Sequence, residues 1–212
     1  MRPVKVALAA GLTLLAVAIA ATLVHAPMVI AHKNGTPQAE DRIATAAHSV
    51  TYCQANELVP RGTTAIRLSL AADTGPRVRV SVSAGGRVIT GGTQGSGWTG
   101  RVVTVPLKPL AHTMPAATVC VSLAPRDERV TVFGEDTERA IAARDGRHTL
   151  AGRMWLEYLH PGSRSWASLI PSTARRMGLG RTPAGTWNAL LAFELLAAVA
   201  ILSSTLVLKE LA

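Results

Sequence analysis

Ile66-Arg67-Leu68-Ser69-Leu70-Ala71-Ala72 and, a few residues on, Val78-Arg79-Val80-Ser81-Val82-Ser83-Ala84 decide the fold. In both runs every second side chain is apolar, and most of those between are polar or charged. A period of two puts the apolar set on one face of an extended strand, so each run is a strand with one buried and one wet face. Gly85-Gly86 follows, a two-residue hairpin turn, and Arg87-Val88-Ile89-Thr90 returns. If Ala84 pairs with Arg87, then Val82 faces Ile89 and the apolar face stays together.

Outward from this hairpin, further short strands are expected at Ser49–Gln54, Arg101–Leu107, Thr118–Leu123, Arg129–Phe133 and Arg153–Leu159. Gly, Pro and Asp clusters separate them, and no stretch among them carries a helical period. The spacing predicts an all-β antiparallel sandwich or jelly-roll domain. Its boundaries are read as 48–160, with residues 135–148 as a charged, solvated loop.

The ends of the chain are of a different composition. After Arg2 and Lys5, Val6 to Val24 carries no charge, 19 residues or about 28 Å of helix, close to a hydrocarbon core. Residues 1–31 are therefore read as an N-terminal signal-anchor or transmembrane helix. Cleavage after Ala31 is the competing reading, although a signal peptide's apolar core is usually shorter, about 7–15 residues. Residues 32–47 read as a polar linker. Residues 161–183 form a membrane-proximal basic segment with a short amphipathic helix at Ser172–Met177. Residues 184–209 form a C-terminal transmembrane helix, with Trp187 at the interface. The expected fold class is thus a β-sandwich flanked by N- and C-terminal transmembrane helices.

Arg2 and Lys5 favour a cytoplasmic N-terminus, an extracytoplasmic main domain and a cytoplasmic C-terminus at the plasma membrane. Arg175, Arg176 and Arg181 stand on the outer side in this topology and oppose it. The two cysteines favour it: Cys53 and Cys120 lie in strand-like stretches, and an even pair behind an export segment reads as a disulfide. Arg175 and Arg176 are placed to meet lipid phosphates. Glu194 interrupts the second span near its centre, where a carboxyl group is costly. Two readings of it stand: a protonated acid bonded to the first helix near Thr22, or a docking contact with a polytopic membrane partner.

The chain of 212 residues is 48% hydrophobic, 17% charged and 4% aromatic, with a net charge of +9. Between His32 and Pro183 there are 19 Lys and Arg against 11 Asp and Glu. Arg77 and Arg79 lie on an outward strand face, so an anionic partner such as an envelope glycan fits the charge. Trp98 and Trp155 are the residues suited to sugar stacking. Nucleic acid is not expected, because the bases lack interleaved stacking aromatics.

No enzyme constellation emerges. Gly95-Ser96-Gly97-Trp98-Thr99-Gly100 matches the letters of a dinucleotide fingerprint, but a strand follows it where a helix is needed. The six His have no ligand spacing. Glu135, Asp136 and Glu138 offer carboxylates for glycosidase chemistry, but acting carboxylates must flank a substrate bond across a cleft, and three acids in one charged loop more often face solvent. No catalytic residue, metal ligand or cofactor is expected. Asn34-Gly35-Thr36 spells a glycosylation acceptor.

Leu58 to Gly75, the hairpin Arg77–Thr90, Gly95-Ser96-Gly97-Trp98, Gly152-Arg153-Met154, Glu157-Tyr158-Leu159, Arg164-Ser165-Trp166 and the tail 174–180 carry a resemblance. Together they resemble a group of actinobacterial envelope membrane proteins with an exterior β-domain, encoded near polysaccharide-assembly enzymes. The resemblance implies an envelope location and carries over no catalytic residue. Two functions follow as expectations. The first is a non-enzymatic accessory or scaffold subunit of polysaccharide assembly, docking through Glu194. The alternative is a glycan- or anionic-polymer-binding module using Arg77, Arg79, Trp98 or Trp155. An envelope hydrolase is a third and weaker reading.

Overall fold

A computed structural model describes residues 2–35, 41–125, 128–138, 141–146, 148–176 and 194. The chain divides into two units, one of residues 28–161 and one joining residues 1–27 to 162–212.

The first unit is all strand. In chain order it contains β1 (Met28–Lys33), β2 (Asp41–Ala46), β3 (Val50–Val59), β4 (Ala65–Gly75), β5 (Val78–Ala84), β6 (Arg87–Gln94) and β7 (Trp98–Pro106). There follow β8 (Met114–Leu123), β9 (Val130–Asp136), β10 (Arg144–Asp145), β11 (His148–Thr149), β12 (Gly152–Met154) and β13 (Leu156–Pro161). One sheet runs β1-β13-β4-β9-β12, with β2 added on β9 and β7 on β4; the other runs β11-β10-β3-β8-β5-β6. Every pairing is antiparallel. This is the expected sandwich.

The alternation in sequence becomes the core. Ile66, Leu68 and Leu70 of one sheet and Val78, Val80 and Val82 of the other are buried, as are Val103, Val105, Val119 and Val121. Burying each such side chain contributes about 1.5–3 kcal/mol. Arg67, on the wet face of β4, pairs across the strands with Glu157 at 3.0 Å. Cys53 and Cys120 are directly opposite on β3 and β8 and form the disulfide.

Three expectations need correction. The sandwich begins at Met28 and not at 48: β1 and β2 occupy much of the expected linker. They were hard to read because they are edge strands, and β2 buries only Ile43 and Ala46. The hairpin register also differs. Ala84 pairs with Arg87, but an irregularity between Val82 and Ser83 sets Val82 opposite Thr90. The extra residue of such a bulge is left unpaired, and Val88 and Ile89 are 71% and 46% exposed. Finally, the 135–148 segment is only partly solvated, since it holds the end of β9 and all of β10 and buries Ala142 and Ala143.

The registers define two ends of the sandwich. Met28 pairs with Pro161, Leu159 with Ala65, and Ala65 with Pro106. In the other sheet Val59 pairs with Met114 and Ser83 with Thr118. These positions, with the β3–β4 loop, the β7–β8 loop and the Gly85-Gly86 turn, form the end where the chain enters and leaves. The opposite end gathers the Gly75–Trp98 pair and Val50, Val78, Gln94 and Leu123.

The second unit contains α1 (Arg2–Val24) and α2 (Trp166–Arg176). Among the described residues no helix is long and apolar enough to cross a membrane. The short helix expected at Ser172–Met177 instead begins at Trp166, where the Ser165 hydroxyl accepts from the Ser168 amide at 3.4 Å as an N-cap. Pro171 lies inside it.

Candidate functional site

Arg77 ends the turn that carries the chain from β4 into β5, and Arg79 follows two residues later on the outer face of the six-stranded sheet. Both are exposed, and among the described residues neither is in an ion pair. In this sheet Thr51, Ser122, Arg79 and Thr93 form one cross-strand row. The Thr51 and Ser122 hydroxyls share a hydrogen bond of 2.8 Å. Below them in the sheet Cys53, Cys120, Ser81 and Gly91 form the next row.

The small side chains leave space. A recess of about 690 Å³ is bounded by Thr51, Arg77, Arg79, Ser122, Asp145 and Gly146. A neighbouring one of about 370 Å³ shares Arg77 and adds Thr74, Ser96 and Glu128. The Glu128 carboxylate accepts from the Thr74 amide at 2.7 Å, which fixes the lip of the second recess. Both lie at the end opposite the chain's entry and exit. Two guanidinium groups, a carboxylate and paired hydroxyls around an open depression can donate to and accept from a hydroxyl-rich ligand, and the guanidiniums can also clamp an acidic substituent.

Arg77 and Arg79, singled out from sequence, are thus brought together. Trp98 lies nearby but is spoken for. Its indole N–H donates to Pro76 O at 2.7 Å, and its ring lies so close to Gly75 that any Cβ there would overlap it. Trp98 pins the β4–β5 turn that presents Arg77. Trp155 is half-buried in the other sheet between β12 and β13 and is not part of this recess. Glu194 is helical and exposed, but its flanking residues and Trp187 fall outside the described residues, as do the side chains of Arg175 and Arg176. Docking through Glu194 therefore keeps only its sequence argument.

Sequence reasoning missed a buried polar cluster. Glu57 is 1% exposed. Its carboxylate accepts from Asn34 Nδ2 at 3.0 Å, Arg153 Nη2 at 2.9 Å and the Tyr158 hydroxyl at 2.8 Å. Asn34 also donates to Met154 O and accepts from the Leu156 amide, so this side chain is buried and committed and not open to glycosylation. Gln54 accepts from the Met154 amide and donates to Ile141 O. Burial, then the charge of Glu57 and its hydrogen bond, hold the Tyr158 hydroxyl well above its ordinary value. The signal was Asn56: it sits at φ 57° in an irregular stretch of β3, and this shifts the strand's parity so that Glu57 turns inward. Among the described residues no group of His, Cys, Asp and Glu could hold a metal ion.

No protein-family model matches the chain, and no curated protein matches it. A solved carbohydrate-binding module in complex with calcium and xylotriose is similar at 15% identity. The match covers 52% of this chain and 92% of that one, with a TM-score of 0.25. A TM-score this low assigns neither fold nor ligand.

Proposed function

We propose that the chain is a membrane-anchored, extracytoplasmic, non-enzymatic binding protein of the cell envelope. Its sandwich holds a hydroxyl-rich glycan bearing acidic groups at the Arg77–Arg79 recess. The observation that carries this reading is the convergence of Arg77, Arg79, Asp145 and the Thr51–Ser122 pair on one depression at the free end of the domain. Further support comes from the uncharged Val6–Val24 run behind Arg2 and Lys5 and the apolar stretch within 184–209, which would anchor the domain. The Cys53–Cys120 bridge favours an oxidising compartment. The resemblance to envelope proteins supports a place in polysaccharide assembly.

The test is calorimetric titration of the detergent-solubilised full-length protein with a uronic-acid-bearing polysaccharide and with its neutral counterpart. Each of Arg77→Ala and Arg79→Ala should weaken binding of the acidic polymer about tenfold, as expected for loss of a charged hydrogen bond. Arg87→Ala, at the other end, should leave it unchanged. Absence of binding at millimolar sugar, or equal binding by the Arg77→Ala/Arg79→Ala double variant, would refute the proposal.

A further inference from the structure

The end of the sandwich that carries both chain connections has its own chemistry. The loop at Pro60–Thr64 and the loop after β7 are sewn together. Gly62 N donates to Leu110 O at 2.9 Å, Leu110 N to Thr63 O at 3.1 Å, Leu107 N to Thr64 O at 2.7 Å and Arg61 N to Thr113 Oγ1 at 3.1 Å. Thr90 Oγ1 donates to Lys108 O at 2.9 Å, which ties the β5–β6 hairpin to the same assembly. These bonds fix the backbone and leave side chains outward. Arg61, Lys108, His112 and Arg87 are exposed, and beside them Val88 and Ile89 at the hairpin tip stand in solvent.

The loops at this end carry no acid. No Asp or Glu occurs from Leu58 to Ala72 or from Thr74 to Pro125, so these loops and the hairpin carry bases alone. Exposed apolar side chains at a tight turn, flanked by bases and free of acids, match a headgroup layer: the apolar tips enter it and the cations meet phosphates. Chain length adds a constraint. Only His25-Ala26-Pro27 separates the end of α1 from Met28, four Cα–Cα steps and a reach of at most about 14 Å. If α1 sits in the bilayer, the start of β1 is tethered within that reach of the helix end, which raises the local concentration of this basic end at the surface.

We infer that the chain-entry end of the sandwich docks on an anionic lipid surface through Arg61, Lys108 and the Arg87–Ile89 hairpin tip. The docking turns the Arg77–Arg79 recess away from the membrane. This inference rests on the membrane-anchored part of the proposed function and is independent of the identity of the glycan.

The experiment is amide hydrogen exchange on the full-length chain in lipid nanodiscs, of phosphatidylcholine alone and with a third of the lipid replaced by phosphatidylglycerol. Exchange in 60–64, 85–90 and 106–113 should slow about fivefold or more in the anionic discs, the size expected for one basic residue at an anionic surface. Exchange in 74–79 should not change. The slowing should disappear in Arg61→Glu/Lys108→Glu and, for the unaltered chain, in half-molar salt. Equal exchange in the two discs would overturn the inference while leaving the anchoring intact, and so would slowing that survives the salt. A chain that does not enter discs at all would overturn the anchored reading and this inference with it.

Discussion

Replacing Glu57 by Leu tests whether the buried cluster holds the two sheets in register. The substitution removes the acceptor for three donors: the Arg153 guanidinium, the Tyr158 hydroxyl and the Asn34 amide. Breaking a buried ion pair from one side costs about 3–5 kcal/mol, because the partner charge stays behind. Arg153 keeps 24% of its side chain in contact with solvent, so water recovers part of that loss. A cost of about 2–4 kcal/mol results, or a fall in melting temperature of roughly 10 °C for a domain of this size. Glu57→Leu/Arg153→Leu should recover at least half of it, since no charge then remains unpaired. The assay is thermal unfolding of the detergent-solubilised protein followed by tryptophan fluorescence. A single variant costing less than about 1 kcal/mol, or a double variant costing the sum of its parts, would refute the reasoning.

Three other outcomes are expected. Reducing the Cys53–Cys120 bond, or Cys53→Ser/Cys120→Ser, should lower stability by about 4 kcal/mol in the loop-entropy account for residues 67 apart; denaturation with and without reductant reads this. Gly75→Ala should push the Trp98 ring off the β4–β5 turn, redden its emission and cost about 1–3 kcal/mol by overpacking. Tyr158 binds its proton more tightly folded than unfolded. Its contribution is therefore fully present below pH 10.0 and is lost as pH rises from there toward the folded-state value. Melting temperature measured from pH 8 to 11 should fall at the alkaline end, and Tyr158→Phe should flatten that fall.

The strands that form the core were legible because their alternation is strict: Ile66, Leu68 and Leu70, and Val78, Val80 and Val82, could only face inward together. The cysteine pair was legible for a similar reason, since both residues stood in such strands. β1 and β2 were not, because an edge strand buries one face thinly and its sequence looks like linker. Ile89 misled because it completes an apolar pattern that the irregularity after Val82 breaks. Glu57 was hidden because a parity shift at a positive-φ Asn reverses the meaning of every position after it. Of the residues around the recess, Arg77 and Arg79 were visible as outward cations. Thr51, Ser122 and Asp145 were not, since their meeting depends on the β3–β8–β5 order and on β10 pairing with β3.

The placement of β1 beside β13 has a consequence for how the domain is made. Among the described residues the first strand pairs only with the last, and Asn34 waits for Leu156, 122 positions away. A chain emerging from its N-terminus cannot finish any part of this sheet edge early, and pairings of such long sequence separation form slowly. Until the final strand arrives, Met28, Val29 and Ile30 are an unpaired apolar edge of the kind that invites aggregation. A domain built this way depends on its whole length being delivered before its first strand can pair.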